Sequence, residues 1–168
     1  DTAHFYTDSE EKMGNAFKDI PREKIYIASK TAAETPEVFW SDLETSLKSL
    51  KTDYLDLYQF HNISFVPKKD DELFKAMLEA KEKGMIRHIG ITTHKITFAH
   101  EAIESGLYET LQYPFSYLSG EEEIELVEKC KKFDVGFIAM KAMGGGLIKN
   151  SKASFAFLNQ FENVLPIW

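Results

Sequence analysis

The sequence is poor in cysteine, since Cys130 is the only one among 168 residues. One cysteine can form neither an internal disulfide nor a multi-cysteine zinc or iron–sulfur site. No apolar run approaches the ~20 residues that cross a bilayer, and no signal peptide precedes Asp1. These absences predict a reducing, cytoplasmic setting with no membrane partner and no metal.

Positive charge is also scarce. Lys and Arg total 20 against 27 Asp and Glu, a formal net charge of −7. An acidic balance argues against nucleic acid as a partner, because phosphates attract Lys and Arg. With 43% hydrophobic and 28% charged residues, the composition is that of a globular chain with a sizeable core. No linker divides it, so residues 1–168 are predicted to form a single domain.

Short apolar runs alternate with stretches of helical period. The predicted strands are Lys24–Lys30, Tyr54–His61, Ile86–Thr92, Thr110–Tyr113, Val135–Lys141 and Asn163–Ile167, and Asp1–Ala3 is interpreted as the end of another. Predicted helical faces carry Trp40, Leu43, Leu47 and Leu50; Leu73, Ala76, Met77 and Ala80; and Ile124, Val127 and Cys130.

Residues typical of helix ends agree with this division. Thr35-Pro36 is typical of an N-cap followed by proline at the first helical position. Ser119 and Glu122 have the spacing of a capping box. Gly84 and Gly106 stand where helices are expected to end.

Seven strands and six intervening helices predict an α/β fold, either an open doubly wound sheet or most of a closed (β/α)8 TIM barrel. The count favours an incomplete barrel of about seven βα units. The absence of G-x-G-x-x-G after the first strand counts weakly against a dinucleotide-binding open sheet.

Four polar residues lie at or just beyond predicted strand ends, where barrel enzymes hold their reactive groups: Asp1, Tyr6, Lys30 and His61. Each one alone also fits a structural role, as a loop carboxylate, a loop aromatic, a rim lysine or a turn histidine. Together they suit proton donation to a carbonyl oxygen. The lysine cation would favour the phenolate and lower the phenol pKa, the aspartate would hold the lysine, and the histidine would orient the oxygen.

Five segments, in their sequence and their order along the chain, resemble motifs of the aldo-keto reductase superfamily. They are D-T-A-x-x-Y (1–6), S-K (29–30), Y-L-D-L-Y-Q-F-H (54–61), G-M-I-R-H-I-G-I (84–91) and M-K-A-M-G-G-G (140–146). These motifs most resemble those of a microbial branch that often carries a C-terminal iron–sulfur extension, which this sequence lacks. The resemblance implies a (β/α)8 barrel that uses NADP(H), or NAD(H), to reduce a small carbonyl substrate.

The resemblance also implies roles for individual residues. Tyr6 would be the general acid, Lys30 its partner, Asp1 the partner of Lys30, and His61 the group that orients the substrate. Cofactor contacts would come from Thr92, Thr93, Gln112, Tyr117, Lys141, Gly144, Gly145 and Gly146. Thr92-Thr93 stand where the family usually has Ser-Asn, and threonine cannot reproduce both ends of an asparagine amide.

Alignment with the family predicts that the first strand, the first helix and the C-terminal tail are absent. A truncated chain would bind its cofactor poorly, and open barrel edges would invite self-association. Two alternatives remain open. One is a non-catalytic barrel fragment that binds a nucleotide or a protein partner, and the other is an aldolase that forms a Schiff base on Lys30.

Overall fold

Parallel strands alternate with helices along the chain in the computed structural model, which describes residues 1–167. The helices are α1 (Ser9–Phe17), α2 (Pro36–Leu50), α3 (Glu72–Glu82), α4 (Ile96–Ser105), α5 (Glu121–Lys132) and α6 (Ser151–Leu158). The strands are β1 (Ala28–Thr31), β2 (Leu55–His61), β3 (Ile86–Thr92), β4 (Thr110–Pro114), β5 (Gly136–Met140) and β6 (Val164–Pro166). The predicted α/β class is therefore confirmed.

The chain comprises two compact units, from Asp1 to Gly90 and from Ile91 onward. In the first unit the strand order is β1-β2-β3, and β1 pairs with β2 in parallel from Ala28 opposite Leu57 to Thr31 opposite Phe60. The ring of Phe39 on α2 packs on Tyr58 and Phe60 of β2, with centroids 5.7 and 6.4 Å apart. Helix α2 therefore covers one face of these strands.

In the second unit, β4, β5 and β6 follow one another in parallel, with Leu111 opposite Phe137 and Phe137 opposite Val164. Its core includes an aromatic cluster in which the ring of Phe115 lies 5.3–5.5 Å from those of Phe137, Phe157 and Phe161. This cluster holds α6 and the segment before β6 against the ends of β4 and β5.

Two strand predictions at the start of the chain were wrong. Residues 24–27 do not belong to β1, because Arg22–Lys24 form a 3-10 helix and the strand begins only at Ala28. Asp1–Ala3 form no strand, although the amides of Thr2 and His4 donate to the carbonyls of Ala28 and Lys30. The chain turns away there, since the Tyr6 amide bonds back to the Ala3 carbonyl. The described residues thus hold six strands, one fewer than predicted.

The helix ends follow the predicted chemistry with one correction. Thr35 caps α2, and Gly84 and Gly106 take left-handed conformations beyond α3 and α4. The capping box of α5 lies one residue later than predicted, because Gly120 is the N-cap and its amide donates to Glu123 Oε2 at 2.8 Å. The Ser119 hydroxyl instead accepts from the Ser116 amide in the preceding turn.

The buried face of α2 also differs from the prediction. It carries Phe39, Leu43, Ser46 and Leu50, whereas Trp40 and Leu47 are half-buried. Leu43 and Leu50 therefore belong to the buried face as predicted, while Phe39 and Ser46 replace Trp40 and Leu47, each one position earlier. Ser46 takes a core position that hydrophobicity alone would not assign to a serine.

A buried carboxylate joins the three strands of the first unit near their amino ends. Asp56 accepts from Arg22 at 2.7 Å, from Arg87 at 3.2 Å and from the Ile27 amide at 2.8 Å. Both guanidinium carbons also lie 3.9 Å from the centre of the Tyr54 ring. Charge pairing and cation–π stacking together fix how these strands begin.

Within residues 1–167, no helix has the length and apolarity to cross a membrane. The same residues contain no group of three His, Cys, Asp or Glu side chains placed to hold a metal ion.

Gly14 lies where α1 comes into close contact with α2, so a larger residue at this position tests that contact. A Cβ at this position would lie 2.2 Å from the Ser49 carbonyl oxygen, which is closer than any real contact. We expect Gly14→Ala to lower the free energy of unfolding by about 1–3 kcal/mol, as overpacking does elsewhere. Urea unfolding measures the change, and Glu11→Ala on the exposed side of α1 is the control. A Gly14→Ala loss no larger than that of the control would contradict the close packing.

Candidate active site

Lys30 is the most deeply buried charged group of the first unit, with no exposed side-chain surface. Its Nζ donates to Asp1 Oδ2 and to the Thr2 carbonyl, both at 2.6 Å. Burial lowers the pKa of Lys30 to about 8, because water no longer stabilises the ammonium. The carboxylate and the carbonyl oppose this effect by favouring the charged form.

Tyr6 and His61 lie beside this pair. The Lys30 Nζ is 5.4 Å from the centre of the Tyr6 ring, and the Tyr6 and His61 rings meet edge to face with centroids 5.5 Å apart. Tyr6 keeps 45% of its surface exposed, so a small molecule can reach it. The first unit therefore brings together Asp1, Tyr6, Lys30 and His61, which lie far apart in sequence.

Local backbone contacts explain how Tyr6 reaches Lys30. The amides of Thr2 and His4 bind the carbonyls of Ala28 and Lys30, which fixes the first residues alongside β1. The Tyr6 amide then closes a turn on Ala3, and Thr7 takes a positive φ of 46° before α1 begins. His61 arrives separately, as the last residue of β2.

This geometry can hold and move a proton. The buried cation of Lys30 lies 5.4 Å from the ring centre of Tyr6, so positive charge faces a candidate proton donor. A histidine ring beside the same phenol can donate to an oxygen that the phenol protonates. The arrangement suits acid catalysis on a carbonyl group.

The predicted cofactor residues lie in the second unit, and three of them are buried near one another: Thr92, Thr93 and Gln112. Thr92 Oγ1 and Gln112 Nε2 each lie 3.9 Å from the sulfur of Met140. The Thr93 amide donates to the Gln112 carbonyl at 3.1 Å, and its hydroxyl accepts from the Lys95 amide. Met140 was not among the predicted site residues, although it stands in the quoted M-K-A-M-G-G-G segment.

The remaining predicted cofactor residues surround the turn after β5. Lys141 is exposed, with a φ of 55°, and Gly144, Gly145 and Gly146 also have positive φ. The amides of Gly144 and Gly146 donate to the carbonyls of Lys141 and Met143, so this turn offers less backbone to a phosphate than an open loop would. Tyr117, 37% exposed, lies in the loop after β4.

A surface pocket of about 360 Å³ opens beside this turn. Lys141 and Gly144 line it, together with Tyr113, Ser116 and Leu118. Nothing in the spacing of Tyr113 and Ser116 identified them beforehand. Tyr113 belongs to β4, whereas the place of Ser116 depends on how the loop after β4 folds.

Parallel strands that alternate with helices and carry polar groups at their ends define the class of parallel α/β proteins. A family model described as "Aldo/keto reductase family" matches residues 1–163, and the chain belongs to that family. The predicted family resemblance is confirmed.

Curated relatives agree. The chain is 29% identical over 160 residues to probable aldo-keto reductase 1 of Glycine max, covering 87% of this chain and 46% of that protein. It is 37% identical over 112 residues to methylglyoxal reductase DkgB of Salmonella typhi, covering 61% of this chain and 40% of that protein. The chain spans about half the length of the curated relatives it matches.

Solved structures confirm the fold. A putative aldo-keto reductase from Pseudomonas aeruginosa matches with a TM-score of 0.83 at 22% identity, covering 99% of this chain and 68% of its own. An aldo/keto reductase from Klebsiella pneumoniae in complex with NADP and acetate matches with a TM-score of 0.82, also at 22% identity, covering 99% and 68%. The predicted α/β barrel class is thus confirmed, and the chain spans about two thirds of these barrels.

The Lys30–Asp1 pair makes a prediction about pH. Replacing Asp1 with Asn removes the anion 2.6 Å from the ammonium, so the pKa of Lys30 should fall below about 8. The chemical shift of the Lys30 Cε carbon, followed against pH by NMR, measures this change. Asp53→Asn, an exposed aspartate outside the site, is the control. An unchanged Lys30 titration in Asp1→Asn would contradict the pairing.

Proposed function

We propose that the protein is an NADP(H)-dependent oxidoreductase that reduces an aldehyde or ketone to an alcohol, with Tyr6 as the proton donor. The observation that carries the proposal is the convergence of Tyr6, His61 and the buried Lys30–Asp1 pair in the first unit. Membership of the aldo/keto reductase family supports it.

Lys30 acts through its charge. The ammonium lies 5.4 Å from the centre of the Tyr6 ring, where positive charge can stabilise the negative charge that develops during the reaction. Asp1 and the Thr2 carbonyl hold the ammonium at a fixed point. Because burial brings the pKa of Lys30 to about 8, the charge is lost as pH rises through that value, and reduction should slow above it.

Tyr6 and His61 act on the carbonyl oxygen. The Tyr6 hydroxyl gives its proton to that oxygen as negative charge develops there, and a ring nitrogen of His61 orients the same oxygen by hydrogen bonding. The edge-to-face contact between the two rings supports this pairing of roles, because it holds the phenol and the imidazole next to each other.

The residues of the second unit fit a nicotinamide dinucleotide. The buried Thr92 hydroxyl and Gln112 amide are groups that pair with a carboxamide, and the exposed Lys141 offers a cation to a phosphate. The turn of Gly144, Gly145 and Gly146 stays a predicted phosphate contact. When bound, NADP(H) supplies the hydride. NADP rather than NAD is proposed from the printed description of the Klebsiella neighbour.

The substrate is proposed to be a small carbonyl compound. Several relatives are named methylglyoxal reductase, and two from Bos taurus are named prostaglandin F synthase. Methylglyoxal is therefore the first substrate to test. Self-association through open sheet edges and a cytoplasmic setting stay predictions from the sequence.

The aldolase alternative requires a neutral lysine amine that can attack a carbonyl. Burial lowers the pKa of Lys30 to about 8, which favours the neutral amine that this alternative needs. The two oxygens that accept from Nζ at 2.6 Å favour the charged form and so support the role of a positioning group. Trapping with borohydride and a carbonyl substrate tests this directly, and a covalent adduct on Lys30 would favour the aldolase.

The 168-residue chain is expected to bind NADP(H) weakly, since it spans about half the length of its curated relatives. Titration of NADPH fluorescence with the chain measures the affinity, and methylglyoxal-dependent oxidation of NADPH measures turnover. A dissociation constant in the micromolar range would contradict the expectation and show that the residues present suffice. NADPH binding without turnover of any carbonyl substrate would favour the non-catalytic alternative.

Tyr6→Phe tests the proton donor. The change removes one oxygen and keeps the ring, so kcat should fall by ~10²–10⁴-fold, the usual value of general acid catalysis, while NADPH binding stays unchanged. Lys30→Met should reduce kcat comparably and shift the pH profile of the residual activity. Steady-state kinetics measures kcat for both variants, and its pH dependence gives the profile.

Tyr26→Phe is the matched control, because Tyr26 is 89% exposed and lies outside the site. Tyr6 would lose its role if Tyr6→Phe kept more than about a tenth of the wild-type kcat, against the ~10²-fold expected of an acid catalyst. His61 would then become the leading candidate for the acid.

A further inference from the structure

The imidazole of His4 lies between two carboxylates that come from different helices. Its Nδ1 is 3.4 Å from Glu10 Oε2 on α1, and its Nε2 is 3.5 Å from Asp42 Oδ1 on α2. Glu10 is buried, and the Asp42 side chain keeps only 16% of its surface exposed. Both contacts are ion-pair distances, and the buried Nδ1 makes no hydrogen bond. In the protonated ring both nitrogens carry N–H groups, so the two carboxylates would then attract the imidazolium from two sides.

The same two carboxylates are also bound by β1. Ser29 Oγ donates to Glu10 Oε1, and Thr31 Oγ1 donates to Asp42 Oδ2, both at 2.5 Å. Ser29 and Thr31 flank Lys30 in the strand, so their side chains lie on the opposite face from Lys30. His4, α1, α2 and β1 are therefore joined in one polar network on the helix side of the strand.

His4 also belongs to the segment that carries the proposed catalytic groups. It lies between Asp1 and Tyr6, and its amide donates to the carbonyl of Lys30 at 3.0 Å. Its backbone is thus bonded to the strand that carries Lys30, and its side chain lies between carboxylates of two helices. Movement of residue 4 would carry Tyr6, two residues further on, with it.

We propose that His4 is a positioning residue, which anchors residues 1–6 through Glu10 and Asp42 and thereby sets the position of Tyr6. This inference rests on the proposed function for its effect on catalysis, and on the geometry alone for its effect on the segment. A misplacement of a reacting group by about 1 Å can cost ~10²-fold in rate, so the anchor matters even though it does not touch the substrate.

The test variant is His4→Gln. Glutamine is close to histidine in volume but cannot carry a positive charge, so the variant loses the attraction to both carboxylates. His100→Gln on α4, outside the first unit, is the matched control. Urea unfolding of each variant separates a local effect from a global loss of stability.

Two readouts do not depend on activity. Amide hydrogen exchange at Thr2 and His4, whose amides bind β1, should become about tenfold faster in His4→Gln while exchange in β2 stays unchanged. The NMR cross-relaxation between the Tyr6 and His61 ring protons should weaken. Neither signal should change in His100→Gln.

A third readout joins the anchor to the reaction. kcat should fall by ~10-fold or more in His4→Gln, with KM for NADPH within about twofold, since Tyr6 is misplaced and the cofactor residues are untouched. Asp42→Asn should give a similar loss, and the double variant should lose no more than the larger single effect, as expected for residues that act as one unit.

Unchanged exchange and unchanged ring contacts in His4→Gln would overturn the proposal. Loosened exchange with unaltered kcat would overturn it as well, because Tyr6 would then not depend on the anchor. If the wild-type protein turns over no carbonyl substrate, the proposed function fails, while altered exchange and ring contacts would still support the anchor.

Discussion

A buried ammonium without hydrogen-bond acceptors would destabilise the first unit. The residues around Lys30 supply such acceptors. Desolvation disfavours the charged form, so acceptors must lie within hydrogen-bonding distance. Asp1 and the Thr2 carbonyl supply them at 2.6 Å, which requires residues 1–6 to run beside the end of β1. Tyr6 reaches its position as a consequence of solvating Lys30.

Because of the pleat of β1, its side chains alternate between two faces that carry different groups. Lys30 and its register partner Gln59 face one way, and Ser29 and Thr31 face the other, toward α1 and α2. One short strand therefore holds the buried cation and also binds the two carboxylates that flank the His4 ring. A shift of one residue in the register of β1 would exchange these roles and abolish both.

The second unit presents a different kind of site. Its candidate cofactor residues are a buried hydroxyl and amide near the sulfur of Met140, followed by a glycine turn in which all three glycines have positive φ. Side chains with a Cβ adopt such conformations rarely, so the sequence of this turn is dictated by its backbone shape. Polar side chains and backbone geometry thus serve separate parts of one proposed ligand.

The periodicity of apolar residues determined the α/β class, because burial of apolar faces enforces that pattern. It predicted β3 in full and four other strands to within about a residue at either end. The glycines that end α3 and α4 were also identified from the sequence. Local patterns could not locate the start of β1, since Ile25 and Tyr26 resemble strand residues although Tyr26 is exposed. The motifs also named Asp1, Tyr6, Lys30 and His61 as a set. Only the tertiary structure decided that His4, Glu10 and Asp42 meet, because side chains from a turn and two helices come together through packing, which no spacing along the chain records.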